Sequence, residues 1–268
     1  MEAAAPDLPR PFYDEWSRSR TRAAQALWHW HEALTEPMVP SGVSADSYFD
    51  EERSRAEAGA PLRLMPEDTW TAAYEACETH DLNYEWLGAQ IEAARLHCGP
   101  MRFDQADEME TYVRLWALPH ARLLAELAEL TNSVQVGRVD ELARGFFHLA
   151  HLVSLPADLE KDRLFVPLEE LRQYDVSVDQ LRSGPATEAV QRLLWTQSVR
   201  VRDALQRGRS LVNDLSVRQR YALRWYWHGA LALIDELDRR DFDLWSESIE
   251  VSPVRRAEVY LLAIFDQS

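Results

Sequence analysis

Apolar residues recur along most of this chain with the three- and four-residue spacing of amphipathic helices. Ala, Leu, Glu and Arg dominate these stretches, and no β-branched run alternates every second residue as a strand would. Capping boxes are predicted at Asp107 with Glu110, Ser177 with Gln180 and Ser216 with Gln219. The pattern predicts helices at about 11–35, 67–77, 83–97, 107–130, 139–162, 187–212, 216–240 and 253–265.

Turn-forming residues separate these helices at 37–42, at Gly99-Pro100 and at 183–185. No linker is long or of low complexity, and no long internal repeat is visible. Pro156 lies inside one predicted helix and is expected to kink it, because proline lacks an N–H donor. The simplest architecture is one all-α domain over residues 1–268, a helical bundle with a site between its helices.

The charge balance narrows the range of partners. The chain has 29 Lys and Arg against 45 Asp and Glu, a net charge of −16. No nucleic-acid partner is expected, because such a protein needs a basic face, and anionic membrane surfaces are disfavoured for the same reason. The sequence shows neither a signal peptide nor an apolar run that spans a bilayer, so we expect a cytoplasmic protein without a transmembrane segment. The oligomeric state stays open.

The sharpest local motif is Asp158-Leu-Glu-Lys-Asp162, at the end of an apolar helix. A spacing of four residues places both carboxylates on one helix face, about 6 Å apart at Cβ. Such a pair suits Mg²⁺, which also binds substrate phosphates. His151 and Ser154 extend the same face. Acidic pairs at this spacing are also common on solvated helix ends, so the spacing alone leaves both interpretations open.

The segment that follows Asp162 resembles the second aspartate-rich motif of the squalene/phytoene synthase family. In that family an acidic helix runs into an R-x-Y-L-P segment and then a G-V-S-x-x-x-L turn. Here Arg163, Phe165 and Pro167 match the first part, and residues 175–181 match the second. The resemblance is specific over about 30 residues of this chain.

Weaker features follow the family order over the rest of the chain. Residues 112–117 are similar to the family's Y-x-x-x-V-A helix, and residues 29–37 correspond to its first acidic motif. There His29 stands where the family has an arginine, and Glu32 and Glu36 replace an aspartate pair. The resemblance implies an isoprenoid-synthase-type helical fold with a central cavity, and an allylic prenyl diphosphate held by Mg²⁺. Its metal ligands would be Asp158, Asp162, Glu32 and Glu36.

Motif positions also imply which side chains contact the substrate. Ser154 stands where the family has asparagine, and Phe242 stands where it often has tyrosine. Three histidines are candidates for a catalytic base, because imidazole titrates near neutrality: His151, His29 and His31. The substrate-binding candidates are Arg163, Arg255, Arg256, Arg10, Ser154 and Phe242.

These departures from the family pattern favour a reaction with one prenyl diphosphate. Head-to-head condensation ionises two of them, and this chain lacks parts of both diphosphate-binding networks. The chain therefore resembles the squalene-synthase-like prenyltransferases of bacterial secondary metabolism, which transfer a short prenyl group such as dimethylallyl to an aromatic acceptor such as a carbazole. A non-catalytic binding or assembly protein of the same fold is the alternative, and a head-to-head synthase is the third hypothesis. Ten tryptophans offer an aromatic lining for a cation.

Overall fold

The computed structural model describes residues 17–265. This part of the chain is 73% helical and contains no strand, which confirms the all-α prediction. Two short 3-10 helices, Arg95–Cys98 and Arg209–Asp214, extend the ends of longer helices. The α-helices are α1 Arg18–Ala33, α2 Ala45–Glu57, α3 Glu67–His80, α4 Glu85–Ala94, α5 Ala106–Leu127, α6 Ser133–Val153, α7 Leu155–Glu160, α8 Leu168–Gln173, α9 Val178–Ser183, α10 Glu188–Gly208, α11 Val217–Arg239 and α12 Pro253–Phe265.

Two of the three predicted capping boxes begin helices as expected. Ser177 begins α9 and Ser216 begins α11, and in each box the serine and a glutamine three residues later bond each other's backbone N–H. These starts are local, because both partners lie within one turn.

The box predicted at Asp107 is wrong, because α5 begins one residue earlier, at Ala106. The backbone N–H of Ala106 donates to the distant Glu169 carboxylate at 2.7 Å. Glu108 accepts instead from the N–H of Asp104, also at 2.7 Å. A residue far along the chain thus takes the place of the expected local cap.

Helix α2 was not predicted, and its buried face explains why. That face contains Tyr48, Phe49 and Glu52. The fully buried Glu52 carboxylate accepts from the backbone N–H and from Nε of Arg63, at 2.5 and 2.6 Å. A buried carboxylate is tolerated when it is paired, and here it interrupts the apolar stripe that would mark a helix.

The predicted helix over 139–162 is divided in two. α6 ends at Val153, and α7 begins at Leu155 with Pro156 in its first turn. Proline is well tolerated there because the first turn has no helical N–H partner to lose. The expected interruption at Pro156 is therefore confirmed as a corner between two helices.

The described residues group into two compact units. Unit 1 contains residues 102–109 and 141–265, and within it α11 packs along α12. Unit 2 contains residues 17–101 and 110–140, and within it α1 packs along α3. The single domain over residues 1–268 stays a prediction. None of the helices between residues 17 and 265 combines the length and apolar character that a bilayer crossing needs.

Candidate active site

The second acidic motif lies where α6 meets α7 in unit 1. Nδ1 of His151 donates to Oδ2 of Asp158 at 2.8 Å, because a carboxylate can only accept. Ser154 Oγ lies 3.5 Å from the same oxygen. The Asp158 side chain is only 16% exposed. The structure therefore brings together three predicted site residues, and Nδ1 is the ring nitrogen of His151 that bonds Asp158. We call His151, Ser154, Asp158 and Asp162 the α6–α7 corner.

An aromatic wall holds the His151 ring. Phe165 stacks on it with ring centroids 3.6 Å apart, and Phe147 contacts it edge-on at 4.5 Å. A cavity of about 10 Å³ beside the ring is also lined by His148 and Gln197, which is room for one water molecule. Burial, together with the neighbouring His151, lowers the pKa of His148 to about 4. The His148 side chain that lines this cavity is therefore neutral at pH 7.

Asp162 does not share a helix face with Asp158, which corrects the interpretation of their spacing. α7 ends at Glu160, and Asp162 has a left-handed backbone with φ of 55°. The N–H of Arg163 donates to the Asp158 carbonyl at 2.8 Å, and the N–H of Asp162 donates to the Leu159 carbonyl at 3.1 Å. This pair of bonds is a Schellman motif, which ends the helix and turns the chain away from its axis.

Two arginines hold the Asp162 carboxylate. Arg102 and Arg182 both donate to its Oδ1, at 2.5 and 2.9 Å. Hydrogen bonding from Arg102, more than any other contact, holds the pKa of Asp162 below its usual value. Sequence reasoning missed both arginines because they lie 60 and 20 residues from Asp162 and belong to no motif. Together they place two guanidinium groups beside the acidic pair.

The side-chain oxygens of the α6–α7 corner are of the type that binds Mg²⁺. Among the described residues, Asp158 and Asp162 each keep one carboxylate oxygen that has no hydrogen-bond partner. Carboxylate oxygens are the ligands that Mg²⁺ prefers, and one or two of them commonly suffice beside water and substrate phosphates. Within residues 17–265 no group of three or more His, Cys, Asp or Glu side chains is arranged to hold a metal ion. The chain therefore offers a carboxylate pair rather than a closed metal cage.

The predicted arginines near the C terminus already have partners. Arg255 pairs with Asp235 at 2.8 Å and with Glu258 at 2.7 Å, and the bond to Glu258 chiefly raises its pKa. Arg256 donates from Nε to the Val251 carbonyl at 2.8 Å. Both side chains thus stabilise the start of α12, and their role in substrate binding stays a prediction.

The other predicted substrate contacts differ in setting. Phe242 is buried with φ of 58°, and its N–H donates to the Leu237 carbonyl at 2.9 Å, so it closes the end of α11. Arg163 is half-buried directly after Asp162. Arg10 lies outside the described residues. Of these three, only Arg163 is placed at the α6–α7 corner.

The first acidic motif, in unit 2, does not form the expected pair along a helix. α1 ends at Ala33, and the exposed Glu36 lies in the turn beyond it. Two local features end the helix: Thr35 Oγ1 donates to the Glu32 carbonyl at 2.7 Å, and the residue before Pro37 is biased away from helix. The Glu32 side chain is 62% exposed and lies 3.5 Å from Nδ1 of the equally exposed His29. These acidic residues therefore lie on the surface.

The opposite face of α1 carries an imidazole in an aromatic setting. The ring of His31 lies 4.1 Å from that of Trp116 and is stacked at 4.3 Å on that of His120. Its Nδ1 donates to Oε1 of Gln90 at 2.8 Å, because the Gln90 amide nitrogen is taken by a backbone carbonyl. Trp28 contacts His120 edge-on at 5.6 Å. We call Trp28, His31, Trp116 and His120 the His31–His120 stack.

Both histidines of the stack are neutral at pH 7. Desolvation by the surrounding rings lowers the pKa of His31 to about 4, and burial lowers that of His120 well below its ordinary value. Among the described residues, neither ring nitrogen of His120 has a hydrogen-bond partner. Sequence reasoning named His31 but missed Trp116 and His120. Their spacing of four residues on α5 was the signal that could have found them.

Solved structures share this helical architecture. Squalene synthase HpnC from Alicyclobacillus acidocaldarius matches with a TM-score of 0.73 at 21% identity, over 87% of this chain and 88% of that one. A dehydrosqualene synthase in complex with a ligand gives 0.75 at 11% identity, over 92% and 87%. YisP from Bacillus subtilis gives 0.63 at 14% identity, over 92% and 99%. These likenesses confirm the predicted isoprenoid-synthase-type fold.

The family follows from the sequence as a whole. The Squalene/phytoene synthase family model matches residues 13–259, so this chain belongs to that family. The chloroplastic phytoene synthase of Narcissus pseudonarcissus is 22% identical over 260 residues, 91% of this chain, and the phytoene synthase of Thermus thermophilus is 26% identical over 164 residues, 61% of it. The matches span 59% and 55% of these two relatives. The family consists of squalene/phytoene synthase-like, prenyl-transferring enzymes.

Proposed function

We propose that this protein is a Mg²⁺-dependent prenyltransferase of secondary metabolism. It moves a short prenyl group, dimethylallyl or similar, from an allylic diphosphate to an aromatic acceptor such as a carbazole. The observation that carries the proposal is an asymmetry between two regions. The α6–α7 corner has partnered carboxylates beside arginines, whereas the segment at 29–37 has exposed carboxylates and an aromatic stack behind them. One diphosphate and one aromatic substrate suit that asymmetry better than two diphosphates do.

The diphosphate belongs at the α6–α7 corner in this proposal. Asp158 and Asp162 would hold the metal through the carboxylate oxygens that have no hydrogen bond. Mg²⁺ held by these carboxylates would supply positive charge to offset the charge that develops on the diphosphate as the C–O bond breaks. Arg102 and Arg182 lie against Asp162, and their planar guanidinium groups suit phosphate oxygens. His151 orients Asp158 by donating from Nδ1.

The acceptor carbon would attack the allylic carbon, and the carbon–oxygen bond to diphosphate breaks. The attacked ring carbon then loses its proton to a base, which restores the aromatic ring. His31 suits this step because its Nδ1 proton is held by Gln90, which leaves the lone pair of Nε2 to accept. A protonated aromatic carbon is a strong acid, so a base with a pKa of about 4 suffices. Nε2 of His151 is the second candidate base, and the exposed His29 is the third.

Head-to-head condensation is the second candidate function. The curated relatives named above are phytoene synthases, which favours it. The surface position of Glu32 and Glu36 counts against it, because a second ionisation calls for another well-held metal site. A non-catalytic member of the family would keep the fold without metal-dependent diphosphate binding.

Calorimetric titration of dimethylallyl and geranyl diphosphate, with and without Mg²⁺, is the first test of this proposal. We expect binding that depends on Mg²⁺, is lost in Asp158→Asn and is retained in the matched variant Glu32→Gln. Incubation with dimethylallyl diphosphate and a carbazole should then yield a singly prenylated product by mass spectrometry. A hydrocarbon product from geranylgeranyl diphosphate would establish the head-to-head function instead. Absence of Mg²⁺-dependent binding would leave the non-catalytic alternative.

A further inference from the structure

A cavity of about 390 Å³ lies in unit 1, between the first turns of α11 and the last turns of α12. Its volume is within the range of small-molecule pockets, about 300–1,000 Å³. We call it the α11–α12 cavity. It is lined by Val217, Arg218, Arg220, Tyr221 and Arg224 from α11 and by Ala263 and Ile264 from α12.

Two arginines of this cavity, Arg220 and Arg224, have no carboxylate partner among residues 17–265. Arg220 donates only to uncharged groups, the carbonyls of Val212 and Leu215, at 2.9 and 3.3 Å. The buried Nε of Arg224 has no hydrogen-bond partner. Neither arginine has a carboxylate within ion-pair distance in the part of the chain that the structure describes. Guanidinium groups that have no carboxylate beside them in the described residues suit an anionic ligand, because their N–H groups can donate to its oxygens.

The direction of α11 reinforces this charge. The N-terminus of a helix carries a partial positive charge, and acidic residues are usually placed there. The first turn of α11 contains no acidic residue and has Arg218 instead. A bound anion would relieve the repulsion between the helix end and these arginines.

The other wall of the cavity is apolar and reaches the surface. Ala263 is buried and Ile264 is 45% exposed. Val217, which lines the cavity from α11, is 78% exposed. Leu261 lies one turn before Ile264 on α12, outside the lining, and is 53% exposed. Exposed aliphatic side chains next to arginines match a hydrocarbon chain that ends in an anionic group.

The cavity is separate from the C-terminal residues of the proposed active site. Phe242 follows the far end of α11, and Arg255 lies in the first turn of α12. α11 has 23 residues and is therefore about 35 Å long at 1.5 Å per residue. Arg224, the last cavity residue on α11, lies 15 residues before Arg239, so about 22 Å of helix separates the cavity from the turn that holds Phe242.

We propose that the α11–α12 cavity is a second ligand site, for a free single-chain amphiphile with an anionic head group. The head group pairs with Arg224 and Arg220, and the hydrocarbon chain lies along Ile264 and Leu261. This site needs no metal, which distinguishes it from the proposed active site at the α6–α7 corner.

The test is calorimetric titration of the full chain with dodecyl phosphate, below its critical micelle concentration and in EDTA. We expect saturable binding of one molecule that Arg224→Gln weakens at least tenfold. Ile264→Ser, a change at a half-exposed side chain, should weaken it severalfold and serves as the second variant if Arg224→Gln does not fold. Arg239→Gln, on the same helix but paired with Glu236, is the matched control and should bind within twofold of wild type. Asp158→Asn should also bind normally, so this site and the proposed function can fail separately.

Three results would overturn the proposal. The first is the absence of saturable binding, and the second is equal affinity in Arg224→Gln, Ile264→Ser and wild type. The third is that dodecyl trimethylammonium binds as tightly as dodecyl phosphate, which would show that charge plays no part. Flotation with phosphatidylglycerol vesicles distinguishes a free amphiphile from a lipid within a membrane. If Arg224-dependent binding occurs only to vesicles and never to the free amphiphile, the patch is a membrane contact and the proposed site is wrong.

Discussion

The α6–α7 corner and the end of α1 both carry acidic residues four positions apart, and they hold them in different ways. Asp158 is 16% exposed and is bonded to His151, whose ring is packed against Phe165. Glu32 is 62% exposed, and its one ion-pair partner among the described residues is the exposed His29. A carboxylate held by a fixed partner is preorganised to bind a charged ligand, whereas an exposed flexible one loses entropy to do so. Burial and partners, rather than spacing, therefore distinguish the two regions.

The end of α1 differs in a second respect. Its other face carries His31, whose ring packs against Trp116 and His120 and whose Nδ1 bonds Gln90; among residues 17–265 no carboxylate pairs with it. The corner thus presents anionic oxygens and guanidinium groups, and the His31–His120 stack presents neutral rings.

The strongest way to break this comparison is to neutralise the partnered carboxylate. We expect Asp158→Asn to lower kcat/KM for prenyl transfer about 1,000-fold, because the developing charge on the diphosphate loses its metal-mediated stabilisation. Steady-state kinetics with dimethylallyl diphosphate measures the effect. Circular dichroism should be unchanged, because the helix-ending bonds at Asp158 use its backbone carbonyl. Activity within a few-fold of wild type would show that the corner does not hold the metal.

The second prediction concerns the stability of the His31–His120 stack. The pKa of His31 is about 4 when folded and about 6.5 when unfolded, so the unfolded chain binds the proton first as the pH falls. The contribution of His31 to stability is therefore complete above pH 6.5 and is lost between pH 6.5 and 4. The loss is up to about 2 kcal/mol between pH 7 and 5. Urea unfolding over this range measures it.

Two variants two residues apart on α1 test that assignment. His31→Phe keeps a ring in the stack and should flatten the pH dependence of the urea midpoint, even though it lowers the midpoint at pH 7 by leaving Gln90 unpaired. His29→Asn, at an exposed position, should retain the wild-type slope. An unchanged slope in His31→Phe would mean that other groups, such as His148 or His120, dominate the titration.

The predictable parts of the structure are those determined by contacts between residues within one or two helical turns of each other. The long helices that were predicted, the boxes at Ser177 and Ser216 and the interruption at Pro156 follow from local chemistry. The parts that failed depend on distant partners. Glu169 caps the start of α5 from 63 residues away, and no local sequence pattern predicts that contact.

The candidate site follows the same rule. His151, Ser154 and Asp158 could be grouped from their helical spacing, and the structure brings them together. The arginines that bond Asp162 could not be predicted in this way. They lie 60 and 20 residues from it in the sequence, and no helical spacing relates residues so far apart. The position of Glu36 was readable from Pro37, which disfavours helix in the residue before it.

The third prediction separates the backbone of Asp162 from its charge. At φ of 55°, alanine is strained and glycine is not. Asp162→Ala and Asp162→Gly lose the same ion pairs, so Asp162→Ala should be less stable by about 1 kcal/mol. Urea unfolding measures the difference. Both variants should lose Mg²⁺-dependent diphosphate binding to the same extent, and unequal binding would show that the turn, rather than the carboxylate, supports the site.

The smallest expected effect completes the comparison. Glu32→Gln and Glu36→Gln should each change kcat/KM for prenyl transfer less than about threefold, because charge interactions of solvent-exposed carboxylates are screened by water. Kinetics on the two variants, measured beside Asp158→Asn under the same Mg²⁺ concentration, checks this directly. A loss comparable to that of Asp158→Asn would restore these glutamates as metal ligands. It would also remove the asymmetry on which the aromatic-acceptor reaction rests and favour two diphosphate sites, as head-to-head condensation requires.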